Sequence, residues 1–293
     1  MERKIKKGMI SAVIVVIVVV VMVFNQSTRH YGGEARIIIS LNYGKVVMLD
    51  RIIPAGESVL DALKSVANVT TSYGGGFVSG INGIMCDENR KIDWFYYING
   101  ILANVGSSQY IIRDGDVVRW DYHHWENDML INAEIEDFPE PLLRGYAGKT
   151  YPTVITYEKG YMDIASILYS YLKKSIMVEM KSIDNLSDEE KQQDNLIVIG
   201  MNSTLIGKIN SMHEKLGFFY YLDGGVVRDI NGTAYRGGFA EITQSPYNPK
   251  GTWACENVLI LISGNSHTFI KNCVENLISG EISKFWCFAG EKI

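Results

Sequence analysis

The chain has 293 residues, of which 47% are hydrophobic and 21% charged, and its formal net charge is −5. This length accommodates one large domain or two ordinary ones, and the composition is that of a globular rather than a disordered protein. The acidic balance disfavours nucleic-acid binding, because contacts to phosphate need clustered Lys and Arg. We therefore expect no nucleic-acid partner.

A membrane anchor is predicted at Gly8–Phe24, an uncharged run rich in Val and Ile. As a helix this run is about 25 Å long, at the short end of what spans a bilayer. Four basic residues precede it, which should keep the N-terminus in the cytoplasm and place the body outside. They are Arg3, Lys4, Lys6 and Lys7. A cleaved signal peptide is the alternative, but no Ala-x-Ala site follows the run. Both interpretations place the body outside the cytoplasm.

Glycosylation sequons and cysteines are the residues that bear on whether the body lies outside the cytoplasm. Glycosylation sequons begin at Asn25, Asn68, Asn185, Asn202 and Asn231. The cysteines are Cys86, Cys255, Cys273 and Cys287, without a CxxC pair or the spacing of a metal site. One disulfide could close among the last three, and free buried thiols are an equal alternative.

The first half, residues 31–133, is predicted to be rich in strands with one helix. Two β-branched runs flank Asn42-Tyr43-Gly44, and Ser58-Val-Leu-Asp61 has the pattern of a helix N-terminal cap. The pairs Asn82-Gly83 and Asn99-Gly100 predict tight hairpins. A strand is expected at Val117–His124. This order of hairpin, helix and further strands is the outline of a β-grasp domain.

A different pattern follows a charged, proline-containing stretch, so residues 134–149 are predicted as a linker. In residues 150–293 apolar strands alternate with helical patterns, and strands such as Val258–Ile262 lack polar alternation. Such strands are typical of a sheet covered on both faces, which predicts a three-layer α/β domain. The predicted organisation is therefore an anchor in residues 1–30, a β-grasp domain, a linker and an α/β domain.

Aromatic residues concentrate on the strand Val117–His124 and just beyond it. Alternation along a strand places Trp120, Tyr122 and His124 on one face and the intervening residues Arg119, Asp121 and His123 on the other. The simplest interpretation makes the first face core and the second solvated. A functional interpretation makes Trp120, Tyr122 and Trp125 part of an aromatic binding rim. Either His123 or His124 alone could be the axial ligand of a metal macrocycle, but adjacent strand residues cannot chelate together.

The stretch from Tyr73 to Gly83 contains three consecutive glycines. Without side chains, this backbone could approach a flat ligand closely, although a flexible loop entering a strand explains the glycines equally well. The candidate contacts here are Gly75, Gly76, Phe77, Val78, Ser79 and Asn82.

These motifs resemble the DUF4430 family, whose domain is similar to the C-terminal β-domain of transcobalamin and intrinsic factor. The resemblance covers about residues 35–125 and is carried by the helix at 57–63, the loop at 73–83, the hairpin at 93–100 and the segment from Tyr110 to Trp125. It implies a β-grasp fold and cobalamin or another corrinoid as the first ligand to consider. It also implies that the loop at 75–82 and the hairpin residues Trp94, Tyr96, Tyr97 and Asn99 contact that ligand. The helical barrel of the cobalamin carriers has no counterpart in this sequence.

Three functions follow as hypotheses. The first is a membrane-anchored binding protein that captures a small ligand for uptake through a membrane transporter. The second is a cell-surface structural or adhesive protein, favoured by the sequons and by a pattern-level resemblance of the second half to α/β domains of archaeal surface-layer proteins. The third is an enzyme in the α/β half. Because no nucleophile or zinc-protease motif occurs, we expect the protein not to be an enzyme.

Overall fold

The computed structural model describes residues 32–125, 131–282 and 284–293 of the chain. Within these ranges strands and helices are mixed around three sheets, which confirms the expectation of a fold containing both. The anchor predicted at Gly8–Phe24 lies outside the described residues. Among the described residues, no helix is both long enough and apolar enough to cross a bilayer.

The first half has the predicted order of a hairpin, one helix and further strands. Its strands are β1 (Glu34–Leu41), β2 (Val46–Pro54), β3 (Val69–Ser72), β4 (Phe77–Ile81), β5 (Ile84–Met85), β6 (Ile92–Ile98), β7 (Ile101–Leu102) and β8 (Val117–His124). Its helix is α1 (Val59–Val66), and a short 3-10 turn occupies Tyr73–Gly75.

Both predicted Asn-Gly hairpins are confirmed. Asn82-Gly83 joins β4 to β5, and Asn99-Gly100 joins β6 to β7. All four residues have positive φ angles, between 51° and 83°. A type I′ turn requires this left-handed backbone at both central positions, and Asn and Gly adopt it most readily.

The main sheet of the first half has the strand order β2-β1-β8-β6-β7. Strands β1 and β8 are parallel, whereas the other neighbours are antiparallel. Helix α1 begins at the predicted cap, where the Ser58 hydroxyl accepts a hydrogen bond from the Asp61 amide at 3.1 Å. The helix buries Val59, Leu60, Ala62 and Leu63 against the inner face of this sheet. Strands β3, β4 and β5 form a small separate sheet beside it.

The second half alternates strands and helices, as predicted. Its strands are β9 (Thr153–Tyr157), β10 (Val178–Ser182), β11 (Asn195–Ile199), β12 (Tyr220–Asp223), β13 (Val226–Asp229), β14 (Ala234–Gln244), β15 (Val258–Gly264) and β16 (Cys287–Lys292). The helices from residue 134 onward are α2 (Glu140–Leu143), α3 (Met162–Leu172), α4 (Asp188–Gln193), α5 (Thr204–Asn210), α6 (His213–Leu216) and α7 (His267–Ser279).

The second-half sheet has the order β10-β9-β11-β15-β14-β13-β12, and β16 also pairs with β14. Its first four strands run parallel. Helices α3 and α7 pack on the sheet face that carries Ile197 and Ile260, whereas α5 and α6 pack on the face that carries Val198 and Leu261. Strands β11 and β15 are therefore buried on both faces, which explains why neither shows polar alternation.

The outer face of the first sheet, away from α1, is not solvated, so the expectation of a solvated face on β8 is wrong. Arg119 is 3% exposed, Asp121 0% and His123 3%. Residues 131–137, partly within the predicted linker, cover this face together with Phe285. The backbone of Phe285 hydrogen-bonds on one side to Tyr43 at 3.1 Å and on the other to Ile135 at 3.2 Å. The covering residues are remote in sequence, so strand alternation alone could not reveal them.

A cluster of buried charges, here called the Arg119 cluster, joins β8 to the covering segment. It consists of Arg119, Glu134, Glu136 and Asp137. The Arg119 guanidinium donates to both Asp137 carboxylate oxygens, at 3.1 and 2.5 Å. Its Nε atom, which donates to Asp137, also lies 3.5 Å from Glu134, and its third nitrogen, Nη1, lies 3.3 Å from Glu136. One buried cation thus faces three carboxyl groups, so they cannot all ionise cheaply.

The pKa shifts within the Arg119 cluster show how this excess of acids is accommodated. Burial would raise the pKa of Asp137, but the Arg119 guanidinium holds it below its ordinary value. Burial, reinforced by Asp137, raises the pKa of Glu134 well above its ordinary value. Burial also raises the pKa of Glu136 to about 7, although Arg119 opposes the shift. The shifts therefore favour the neutral form of Glu134 and the ionised form of Asp137, while Glu136 titrates near pH 7.

A second buried group, next to the Arg119 cluster, fixes the turn between β1 and β2. The Asp121 carboxylate accepts hydrogen bonds from the amides of Tyr43 and Gly44, both at 2.9 Å, and from the Ser40 hydroxyl at 2.6 Å. Gly44 has φ of 81°, and a Cβ there would lie 1.8 Å from a Glu136 carboxylate oxygen. The backbone angle therefore favours glycine at this position, and a side chain there would also displace the Glu136 carboxyl group from its place in the Arg119 cluster.

Replacing Glu136 by Gln should change how stability depends on pH. The folded pKa of about 7 exceeds the ordinary 4.5. Protonation of Glu136 therefore stabilises the fold fully below about pH 4.5, and this contribution is lost as the pH rises through about 7. At about 1.4 kcal/mol per pKa unit, the loss amounts to about 3 kcal/mol. Because Gln does not ionise, the stability of Glu136→Gln relative to the wild type should increase across this interval.

Urea unfolding at several pH values between 4.5 and 8.5 measures this difference. A second variant, Asp137→Asn, removes the carboxylate that binds both donors of the Arg119 fork and should destabilise the fold at pH 7. A Glu136→Gln variant whose stability stays parallel to that of the wild type across the pH range would contradict the raised pKa.

Candidate ligand-binding site

A cavity of about 310 Å³ opens beside the inner face of the first sheet, between the start of β4, strand β6 and the loop that follows β7. Six of the predicted site residues line it together. They are Gly76, Phe77, Val78, Trp94, Tyr96 and Trp120. The remaining lining residues are Phe95, Leu102, Ala103, Val105, Gly106 and Ser107, so no charged side chain contributes to its wall.

Three aromatic side chains form the floor of the cavity because strand alternation places them on one face. Tyr96 on β6 is directly opposite Trp120 on β8, and Trp94 is two residues before Tyr96. The Tyr96 and Trp120 rings are stacked, with centroids 5.1 Å apart. These side chains are largely buried, so the floor is a rigid, largely apolar surface with polar atoms only at the ring edges.

The polar atoms of the floor differ in whether they have partners. The Trp94 indole N–H donates to the Ile84 carbonyl at 2.9 Å, and the Tyr96 hydroxyl donates to the Val105 carbonyl. Burial raises the pKa of Tyr96, so its hydroxyl stays neutral. The Trp120 indole N–H is buried and has no acceptor among the residues that the structure describes. A buried donor without a partner is unfavourable.

The rim of the cavity comes from the glycine-rich loop. Gly74 and Gly75 have φ angles of 68° and 95°, and no atom lies within 4 Å of a Cβ built on either. The glycines are thus required by backbone conformation and leave the loop open. Phe77 is 39% exposed at the cavity, and Tyr73 beside it is 91% exposed, with ring centroids 6.4 Å apart. Exposed aromatic side chains next to a cavity offer contact area to a ligand larger than the cavity.

Four predicted contacts on or near β4 to β6 lie outside the cavity, and the three with polar side chains have structural partners. The Ser79 hydroxyl donates to the Thr70 carbonyl at 3.3 Å. The Asn82 side chain accepts a hydrogen bond at 2.9 Å from the backbone amide of Asn68, which precedes β3. Asn99 is fully buried and donates to Asp116 at 2.9 Å and to the Gly145 carbonyl at 2.7 Å. Gly75 belongs to the rim loop but is not among the lining residues.

Three predicted aromatic contacts also lie away from the cavity. Tyr97 is on the outer face of the sheet, where its hydroxyl donates to the Ile131 carbonyl at 2.9 Å. Tyr122 shares the inner face, but it packs beyond Trp94 and donates to the Met85 carbonyl at 2.7 Å. Trp125 follows the end of β8 and donates its backbone amide to the Lys91 carbonyl at 2.8 Å. The structure therefore brings the glycine-rich loop and the aromatic floor together at the cavity, whereas Tyr97, Tyr122 and Trp125 lie elsewhere.

The histidines proposed as axial ligands lie on opposite faces of β8. His123 is buried on the outer face, with its Nδ1 atom 2.8 Å from Asp121 and its ring stacked on Phe95. His124 is exposed, and its Nδ1 atom lies 3.0 Å from the Arg90 carbonyl. Neither histidine lines the cavity. Among the described residues, no group of three or more His, Cys, Asp or Glu side chains is arranged to hold a metal ion.

The sequence did not predict the loop at 103–107, nor the lining residues Phe95 and Leu102. The loop carries Ala103, Val105, Gly106 and Ser107 over the edge of the floor. The Ser107 carbonyl accepts a hydrogen bond from the Leu60 amide at 2.9 Å, which ties the loop to the start of α1. The Gly-Ser-Ser triplet at 106–108 signals a turn, but it does not indicate where the turn packs.

Comparison with known proteins agrees with the resemblance inferred from the sequence. Residues 56–124 match the DUF4430 family, described as a domain of unknown function. No curated protein matches the chain. This confirms the predicted resemblance for the segment that carries α1, the cavity and β8.

Two solved structures are similar to about a third of the chain. A candidate metal-binding protein from Ruminococcus gnavus ATCC 29149 is 12% identical, with a TM-score of 0.28 over 32% of this chain and 99% of its own. Haptocorrin in complex with Cbi is 13% identical, with a TM-score of 0.27 over 32% of this chain. The matched region is 26% of the haptocorrin chain.

Trp94→Phe and Trp120→Phe should differ in stability although both shorten an indole to a phenyl ring. Only the Trp94 substitution removes a hydrogen bond and leaves the Ile84 carbonyl without that donor. We expect Trp94→Phe to be the more destabilising by about 1 kcal/mol. Urea unfolding of the two variants measures the difference. Equal losses, or a larger loss for Trp120→Phe, would contradict an unpartnered Trp120 N–H.

Proposed function

We propose that this chain is a membrane-anchored, extracytoplasmic binding protein whose first half, a β-grasp domain, captures a small ligand for uptake. The observation that carries the proposal is the open cavity with a rigid aromatic floor and no charged side chain in its wall. One helix packed on a five-stranded sheet with a parallel β1–β8 pair supports the β-grasp assignment. Helices on both faces of the second sheet support a three-layer α/β half. The proposal includes no catalytic role.

The shape and chemistry of the cavity define the ligand class. An uncharged, largely aromatic lining favours a ligand with a flat, mainly apolar surface. Ligand sites usually range from about 300 to 1,000 Å³, so this cavity holds one side of a large ligand rather than all of it. A corrinoid, which the family resemblance puts first, would extend from the cavity across the exposed rings of Phe77 and Tyr73.

The proposed location outside the cytoplasm favours uptake as the purpose of binding. The predicted anchor would hold the first half close to the membrane, where a captured ligand could pass to a transporter. Four sequon asparagines lie within the described residues, and all four are exposed. They are Asn68, Asn185, Asn202 and Asn231. Exposed sequons are also what a cell-surface structural protein would present, so that function is the second candidate.

Titration of the full chain in detergent with cobalamin or cobinamide tests the proposal. We expect quenching of tryptophan fluorescence and a change in the visible spectrum of the corrinoid. Phe77→Ala removes the exposed aromatic contact and should weaken binding roughly tenfold, equivalent to about 1.4 kcal/mol.

The matched control is Ile230→Ala, which truncates an apolar side chain of similar exposure, 36%, in the second half. It should leave the affinity unchanged. Absence of any response at high micromolar corrinoid would overturn the corrinoid proposal. If the native protein then also carries glycans at its sequons and assembles at the cell surface, the structural function is favoured instead.

A further inference from the structure

Two cysteines of the second half meet in the hydrophobic core. Cys273 lies on α7 and Cys287 begins β16, and both are buried. The Cys287 sulfur lies 3.8 Å from the Cys273 carbonyl oxygen. Each thiol also shifts the pKa of the other, raising that of Cys273 and lowering that of Cys287, because the two side chains lie close together. Helix α7 packs directly on β14 and β16, so this proximity follows from the layering of the fold.

The other two cysteines have separate surroundings. The Cys86 thiol donates to the Val78 carbonyl at 3.7 Å beside β4. The Cys255 thiol donates to the Leu102 carbonyl at 3.4 Å. Burial raises the pKa of each to about 11, which makes both thiols poor nucleophiles. In contrast, hydrogen bonds from Cys273 and Asn276 lower the pKa of Cys287.

We propose that Cys273 and Cys287 are a disulfide-forming pair and that they are bonded in the exported protein. The bond requires an oxidising compartment, so its presence in cells rests on the extracytoplasmic location proposed above. The oxidant is a disulfide compound or a disulfide-exchange protein. The Cys287 thiolate attacks one of its sulfurs and releases a thiol, and the Cys273 thiolate then displaces the second. Two protons leave the cysteines, and two electrons reduce the oxidant to two thiols.

A Cys273–Cys287 bond would restrain the segment around Phe285, which covers the outer face of the first sheet. Cys273 and Cys287 are 14 residues apart, and the loop between them carries Phe285. The Phe285 ring packs edge-on against Tyr97 at 5.1 Å and against His123 at 5.7 Å on the outer face. Closing this loop reduces the conformational freedom of the unfolded chain around Phe285. Because both thiols are buried in the folded state, the bond should form while the chain folds.

Mass spectrometry of the full chain tests the pairing. Protein isolated without reductant from the membranes of its native host is denatured, alkylated and digested. We expect a peptide pair joined through Cys273 and Cys287 that separates on reduction, and complete alkylation of Cys86 and Cys255. Cys86→Ser is the matched control and should retain the linked peptides, whereas Cys287→Ser should lose them. A chemical reductant should lower the unfolding midpoint of the wild type and of Cys86→Ser, but not that of Cys287→Ser.

Refolding of the reduced full chain in a buffer of oxidised and reduced glutathione separates the pairing from the location. A Cys273–Cys287 bond in this buffer, with free thiols in the native protein, supports the pair and contradicts the extracytoplasmic location. Free thiols at both positions in both samples, or a bond to Cys86 or Cys255, overturns the pair. If Cys287→Ser fails to fold, the double variant Cys86→Ser/Cys255→Ser still tests the pairing. A Cys273–Cys287 bond makes this variant lighter by two hydrogen atoms than its reduced form.

Discussion

Burial of the Arg119 guanidinium is the interaction on which the arrangement of the chain depends. A charged group within a sheet can be covered only if the covering segment supplies opposite charge, because an unpaired buried ion costs several kcal/mol. Residues 134–137 supply three carboxyl groups, and Asp137 binds both donors of the guanidinium fork. The outer face of the first sheet is thereby closed by residues that link the two halves. Helix α1 and the cavity lie on the inner face of this sheet.

The features that could be predicted from the sequence are local. The Ser58 cap and the two Asn-Gly hairpins depend on residues a few positions apart, and their residue types admit few other conformations. The sequences of β11 and β15 lack polar alternation, which directly indicates that both faces of each strand are buried. The outer face of β8 could not be predicted, because charged residues such as Arg119 and Asp121 usually face water. In the folded chain these side chains are buried by residues remote in sequence, including Phe285.

The candidate site could also be predicted only in part. Alternation along β6 and β8 places Trp94, Tyr96 and Trp120 on one face, and the sequence identified all three as candidate contacts. Alternation also shows that Tyr97 points the opposite way, but the density of aromatic residues in the hairpin concealed this. The loop at 103–107 completes the cavity through a hydrogen bond to α1 that no motif encodes. Residue type therefore identified the floor, whereas tertiary contacts defined the walls.

Hydrogen–deuterium exchange of the full chain, with and without cobinamide, tests the role of the cavity most directly. If the ligand binds there, backbone amides in residues 73–78 and 103–107 should exchange more slowly when it is present, and those in residues 134–137 should not change. Protection confined to the second half, for example in the groove lined by Asn202, Lys208 and Tyr247, would contradict a ligand site on the first sheet.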